Sequence, residues 1–172
     1  MLVSSVIHVG DQPCKCSLAS EVLRRFGELR LQVTGASMLP SVWPGDVLTI
    51  RSARLPEISR GDLVLFFRGR RFFVHRVLKV SADRLLTRGD SVVSPDPLVS
   101  SDELLGRVVS IARDGAVRAP SKLGAAGCLL AFAVRHSTIL CNIVLRLSPV
   151  YRRVLRTAAL AAVLPPEEAW PN

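Results

Sequence analysis

The chain has few aromatic residues, no patterned cysteine, little lysine and no long apolar run, and each shortage excludes something. Aromatics make up 5% of the 172 residues and no basic run interleaves with them, so a stacking platform for single strands is missing and no nucleic-acid partner is expected. The cysteines Cys14, Cys16, Cys128 and Cys141 match neither a zinc spacing nor a readable disulfide framework, which leaves free thiols in a reducing compartment as the plain expectation. Nothing in the pattern asks for a metal or another cofactor. The cleanest uncharged stretch, Leu123 to Val134, is well short of the ~20 apolar residues that a membrane span needs. The apolar start from Leu2 to Val9 has no basic flank ahead of it and meets Asp11 early, so it reads as a short strand or an N-terminal arm and not as a signal peptide.

What is present points elsewhere. A hydrophobic fraction of 49% and a mean hydropathy of +0.33 lie above the soluble average. The net charge of +9 is carried almost wholly by arginine, because Lys15, Lys79 and Lys122 are the only lysines. Charge of this sign is drawn to anionic lipid headgroups as readily as to nucleic acid. A chain of this length fits one domain, or one domain with a helical appendage, and can bury roughly two thirds of its unfolded surface.

The order of signals divides the chain into an N-terminal arm and helix (1–28), a β-rich domain (29–119) and a helical appendage (120–172). Ser17 as N-cap, Glu21 in the first turn, an apolar face of Leu18, Val22, Leu23 and Phe26, and Gly27 as the stop predict one helix. Strand signals follow at Leu29–Thr34, Val47–Arg51, Leu63–Arg68, Arg71–Val80, Arg84–Thr87 and Gly106–Ile111, bounded by Gly, Pro, Asp and Ser. Gly69 between two of these runs marks a hairpin. Beyond Ala119, apolar stretches at Leu123–Val134, Ser137–Leu147 and Ser148–Leu164 predict two or three helices, the last opening on Ser148-Pro149 and stopping at Pro165-Pro166. They fit a cap packed on the β domain and, equally, an interfacial set lying on an anionic membrane. A peripheral membrane location and a cytoplasmic one both stay open.

Reactive chemistry concentrates around Thr34-Gly35-Ala36-Ser37-Met38-Leu39-Pro40 and the strand Phe72-Phe73-Val74-His75-Arg76-Val77. Gly35 suits a sharp turn and Pro40 stops a regular element from running on, so Ser37 is expected on an exposed bend whose free N–H groups can bind an oxyanion. A serine hydroxyl needs a neighbouring base, and His75 is the candidate. Lys79 is the rival, on the same face if the strand alternates regularly but about 13 Å further along, so only one of the two can reach Ser37. A carboxylate that fixes the imidazole completes such a set, and Asp90 and Asp96 are both available. Gly45-Asp46 and Gly61-Asp62 read as turns with self-capping aspartates, and His8 and His136 as satisfied structural residues.

Ser37-Met38-x-Pro40, then Gly45-Asp46 and Gly61-Asp62 each before an apolar strand, His75-Arg76-Val77, and Arg88-Gly89-Asp90-Ser91 together resemble the signal peptidase family of serine endopeptidases, over about Val33 to Val109. The bacterial branch has a lysine directly before the arginine; the eukaryotic and archaeal branch has a histidine, as here. The resemblance implies a small antiparallel β domain of the signal peptidase type, which with the N-terminal helix and the C-terminal helical appendage read above makes a mainly β (α+β) fold. It implies cleavage of a leader-type peptide or protein substrate after small residues, through an acyl-enzyme. It makes Ser37 the nucleophile, His75 the base and Asp96, ahead of Asp90, the residue that orients the base. The chain departs from the family in having Gly35 where a serine often assists the oxyanion hole, and in showing no N-terminal transmembrane helix. Those departures keep open a non-catalytic peptide-binding module on the same fold; a self-cleaving repressor-type peptidase, which shares a related core, is a further reading, disfavoured by the lack of a DNA-binding domain and of a lysine in the right place.

Overall fold

A strand with one wet face alternates apolar and polar residues, whereas a strand buried on both faces needs no alternation. Leu63-Val64-Leu65-Phe66 is of the second kind. The computed structural model, which describes residues 7–8, 13–121, 124–136 and 143, buries all four side chains. Leu63 and Leu65 join one core with Ala19, Leu23, Leu48, Ile50 and Ile111, while Val64 and Phe66 join a second with Val77, Leu85 and Val99.

The elements in chain order are β1 (Ile7–His8), α1 (Pro13–Phe26), β2 (Glu28–Gln32), β3 (Val47–Ser52), a short 3-10 turn (Leu55–Glu57), β4 (Leu63–Arg68), β5 (Arg71–Val80), β6 (Arg84–Arg88), β7 (Val99–Ser100), β8 (Leu104–Arg113), β9 (Ala116–Arg118) and α2 (Ala125–His136). Among the described residues the fold is therefore mainly antiparallel β, with two helices. The strands form one sheet in the order β1-β2-β3-β8-β4-β5-β6-β7, with β9 added on β8. Among the described residues only β1 on β2 is parallel, with Ile7 opposite Leu31.

The six expected strands are all present, and β4 and β5 have the expected ends. Their hairpin closes through Gly69 at φ 56 and Arg70 at φ 67, two consecutive left-handed residues, as the twist of a two-residue turn requires. β7 and β9 were not legible because two or three residues are too few to show a period.

Two helix expectations need correction. α1 starts at Pro13 and contains Ser17, since proline's fixed φ and missing N–H suit a first helical turn better than a later serine cap does. Phe26, expected on the packed face, is exposed; Ala19 and Leu23, one turn apart, carry the contact and Gly27 closes the helix. At the other end α2 takes up most of the Leu123–Val134 stretch, burying Ala131 and Val134 and exposing Leu129 and Phe132. The helices expected over 137–147 and 148–164 lie outside the described residues. No helix of the described residues is long and apolar enough to cross a membrane.

Candidate functional site

Past β2 the chain makes a tight excursion that ends at Asp46, and its inward side chains fix its shape. Met38, Leu39 and Val42 are buried; Leu39 N–H donates to the Ala36 carbonyl (3.1 Å), Val42 N–H to Met38 (2.9 Å) and Trp43 Nε1–H to Pro40 (2.8 Å). Ser37 sits half-buried at the head of this turn. The turn does not depend on Gly35 as expected, because a Cβ at Gly35 would meet open space. Three buried apolar anchors hold it instead. At the far end Asp46, 1% exposed, accepts from Trp43 N–H (2.8 Å) and takes both Nε (2.8 Å) and Nη2 (2.6 Å) of Arg113 on β8. Asp62 accepts from Ser59 N–H (2.9 Å), so both of these Gly-Asp pairs cap their own loops as expected.

His75 lies mid-strand in β5 opposite Val64, 5% exposed, with the Phe66 and Phe73 rings 5.8 and 5.9 Å from its own. Its Nε2 is 3.1 Å from Ser37 Oγ and its Nδ1 is 2.7 Å from Asp96 Oδ2. An ionised carboxylate only accepts, so Nδ1 carries the proton and Nε2 is left to accept from the serine hydroxyl. Asp96 is fixed in turn by Thr87 on β6, whose Oγ1–H donates to the same Oδ2 (2.7 Å) and whose carbonyl accepts from Asp96 N–H (2.9 Å). Burial works against the charged form of Asp96, but the bonds from His75 and Thr87 and the charges of His75 and Arg68 outweigh it, and the carboxyl is held below its ordinary value. A hydroxyl, an imidazole and a carboxylate joined in this order can move a proton off the oxygen and stabilise the imidazolium that results.

Asp90 is placed differently. Its carboxylate, 5% exposed, takes Nε (2.8 Å) and Nη2 (2.8 Å) of Arg76 and the hydroxyl of Ser41, while its carbonyl accepts from Arg135 Nη2 on α2 (2.9 Å). The structure thus brings Ser37, His75 and Asp96 together and gives Asp90 to a neighbouring network. Its neighbours still touch the site. Ser91 N–H donates to the Ser37 carbonyl (3.0 Å), Ser91 Oγ–H to the Ala36 carbonyl (2.9 Å), and a Cβ on Gly89 would stand 2.6 Å from the Ser37 carbonyl and 3.2 Å from His75 Nε2. Only glycine fits there.

Lys79 is exposed, and a register shift between Val77 and Lys79 breaks the alternation that would put it on the His75 face. A bulge adds a residue and turns later side chains, which strand periodicity cannot foresee. His136 is also no core residue: it is exposed, with its ring 4.4 Å from that of Phe132. Cys128 is exposed.

Beside Ser37 opens a cleft of about 340 Å³. Leu31, Val33, Met38, Leu65 and Phe73 give it apolar walls, and Arg70 and Arg71 stand at it from the β4–β5 hairpin. β5 pairs with β6 only from Arg76 onward, so the edge of Arg71–His75 facing away from β4 carries no strand among the described residues. Thr87 was not singled out in the sequence, because a threonine in a strand signal is ordinary until the fold sets it against Asp96; Gly89 and Ser91 entered only as parts of the Arg88-Gly89-Asp90-Ser91 motif, and the fold gives each its own contact with the serine turn. Among the described residues no cluster of three or more His, Cys, Asp or Glu side chains could hold a metal ion.

No family model matches this chain, and no curated protein matches it.

Two outcomes follow from the geometry. Asp90→Ala leaves the buried Arg76 charge unmatched and should lower stability by about 3–5 kcal/mol in urea denaturation, more than Asp96→Asn does. The second concerns Glu103, whose carboxyl is held down from 4.5 to about 2, first by its bond from Arg68 and against burial. A depressed value means that the pair stabilises the fold above the ordinary carboxyl range and loses that contribution as pH falls through about 2. Glu103→Gln should therefore cost roughly 1–2 kcal/mol near pH 7, and the gap to the parent should close between pH 4.5 and 2 when unfolding is followed against pH.

Proposed function

We propose that the chain is a serine endopeptidase of the signal peptidase type, in the branch that pairs serine with histidine. The observation that carries this reading is the hydrogen-bonded line Ser37–His75–Asp96 opening on an apolar cleft. His75 Nε2 takes the proton of Ser37 Oγ as the oxygen attacks the scissile carbonyl. The backbone N–H of Ser37 faces the charge that develops on the carbonyl oxygen. Collapse of the tetrahedral adduct breaks the C–N bond, and the imidazolium returns its proton to the leaving amine. Water then repeats the sequence on the ester, leaving a free acid and the original serine. The substrate is an extended peptide or protein segment laid along the open edge of β5, with small residues such as alanine next to the cut. Open space at Gly35 is consistent with an oxyanion site that lacks the family's side-chain donor.

We further propose that residues 120–164 meet an anionic membrane surface. The outward side of α2 supports this, with Leu129, Leu130 and Phe132 exposed and His136 at its end, in a chain of net charge +9.

Incubated with a peptide library, the protein should cut after small residues, and a folded Ser37→Ala variant should not. His75→Ala should lose orders of magnitude, Asp96→Asn should fall between, and Lys79→Ala should stay within a few fold. Unchanged turnover in Ser37→Ala, or an active His75→Ala, overturns the assignment. Vesicles containing anionic lipid should carry the full chain upward in flotation and leave behind a chain ending near Ala119; equal flotation of the two removes the membrane proposal.

A further inference from the structure

Asp96 stands between Pro95 and Pro97, and neither proline has an N–H with which the loop could bond itself to the sheet. On the near side the loop is held by Thr87. On the far side it is held by a residue from another strand. Arg68, the last residue of β4, sends Nη1–H to the Pro97 carbonyl (3.0 Å) and Nη2–H to the Leu98 carbonyl (2.9 Å). The same guanidinium is gripped by Glu103, Nε on Oε1 (2.6 Å) and Nη2 on Oε2 (2.6 Å), and Glu103 also accepts from Ser100 N–H (3.0 Å). Its Cζ lies 5.6 Å from the centre of the Phe66 ring, which is itself packed against His75.

Resting on the peptidase reading above, we infer that Arg68, aimed by Glu103, is a positioning residue that seats the Asp96 carboxylate on His75. A loop with two prolines has few internal bonds, and a short shift of its carbonyls would carry the carboxylate off Nδ1. The planar fork of arginine can hold two carbonyls and a carboxylate at once, which lysine cannot do with comparable geometry. The charged groups along this line are His75, Asp96, Arg68 and Glu103, and their signs alternate when the imidazole is protonated. Glu103, held ionised to about 2 chiefly by its bond from Arg68, keeps the grip over the whole working range of pH.

Two readouts test the inference, one independent of turnover. In proton NMR of the full chain, the Nδ1–H of His75, assigned by its absence in His75→Ala, should give a slowly exchanging downfield signal in the parent and lose it in Arg68→Met. Arg68→Lys, which keeps the charge and is the safer variant for folding, should show it weakened. With a fluorophosphonate that labels an activated serine, Arg68→Met should react roughly tenfold or more slowly, short of the ~10⁴-fold that a misdirected imidazole costs. The pair Arg68→Met with Asp96→Asn should be no slower than Asp96→Asn alone, because both act through the same carboxylate. Additive losses, or an undisturbed Nδ1–H signal in Arg68→Met, overturn the positioning role. A parent that never labels at Ser37 counts against the peptidase reading, and the NMR signal still decides the role of Arg68.

Discussion

A carboxylate removed from water costs several kcal/mol unless it is fully matched, and Asp90 is matched from several directions. Arg76 supplies a two-pronged guanidinium from β5, Ser41 a hydroxyl from the Ser37 excursion, and Arg135 a bond from α2 to the main chain of the same residue. Arg76 also donates to the Gly61 carbonyl (2.9 Å) before β4. One buried ion pair therefore ties together the segments whose relative position decides whether Ser37 meets His75. Its neighbours Gly89 and Ser91 transmit that order directly, one by close approach to both residues and the other by two hydrogen bonds to the serine turn.

The same device recurs. Arg68 with Glu103, Arg76 with Asp90 and Arg113 with Asp46 each set Nε and Nη2 against the two oxygens of one carboxylate. This side-on geometry is available to arginine and not to lysine, which gives the arginine bias of the basic residues a use inside the fold. Each pair holds one irregular segment: the loop after Asp96, the turn around Asp90, and the end of the Ser37 excursion. The strands supply a stiff frame, and the ion pairs lock onto it the loops that carry function.

Helix α2 joins this frame by a narrow footing. Ala131 and Val134 are buried and Arg135 reaches Asp90, but burial and the nearby Arg88 charge depress the Arg135 guanidinium, with only Asp90 opposing. Leu129 and Phe132 are exposed. Among the described residues the helix reaches the turn beside Ser37 through the Arg135 bond to Asp90, with these two side chains on its exposed side.

By itself the sequence determined the strand-rich middle and the β4–β5 hairpin. Those features are written locally: two-residue alternation and a glycine that permits a left-handed turn. Ser37 and His75 were paired by the motif resemblance, and only the fold brings them within 3.1 Å. The sequence left open which carboxylate serves His75, because Asp90 and Asp96 sit close together on the same irregular stretch and differ only in which partner they meet. The tertiary structure separates them, giving Asp90 to Arg76 and Asp96 to Nδ1 of the imidazole. It also decides that Lys79 faces away, through a bulge that inserts a residue into β5, and that Arg68 and Thr87 converge on one loop from strands distant in the chain. Contacts between residues far apart in sequence leave no periodicity behind, so they exist only once the sheet has brought its strands together.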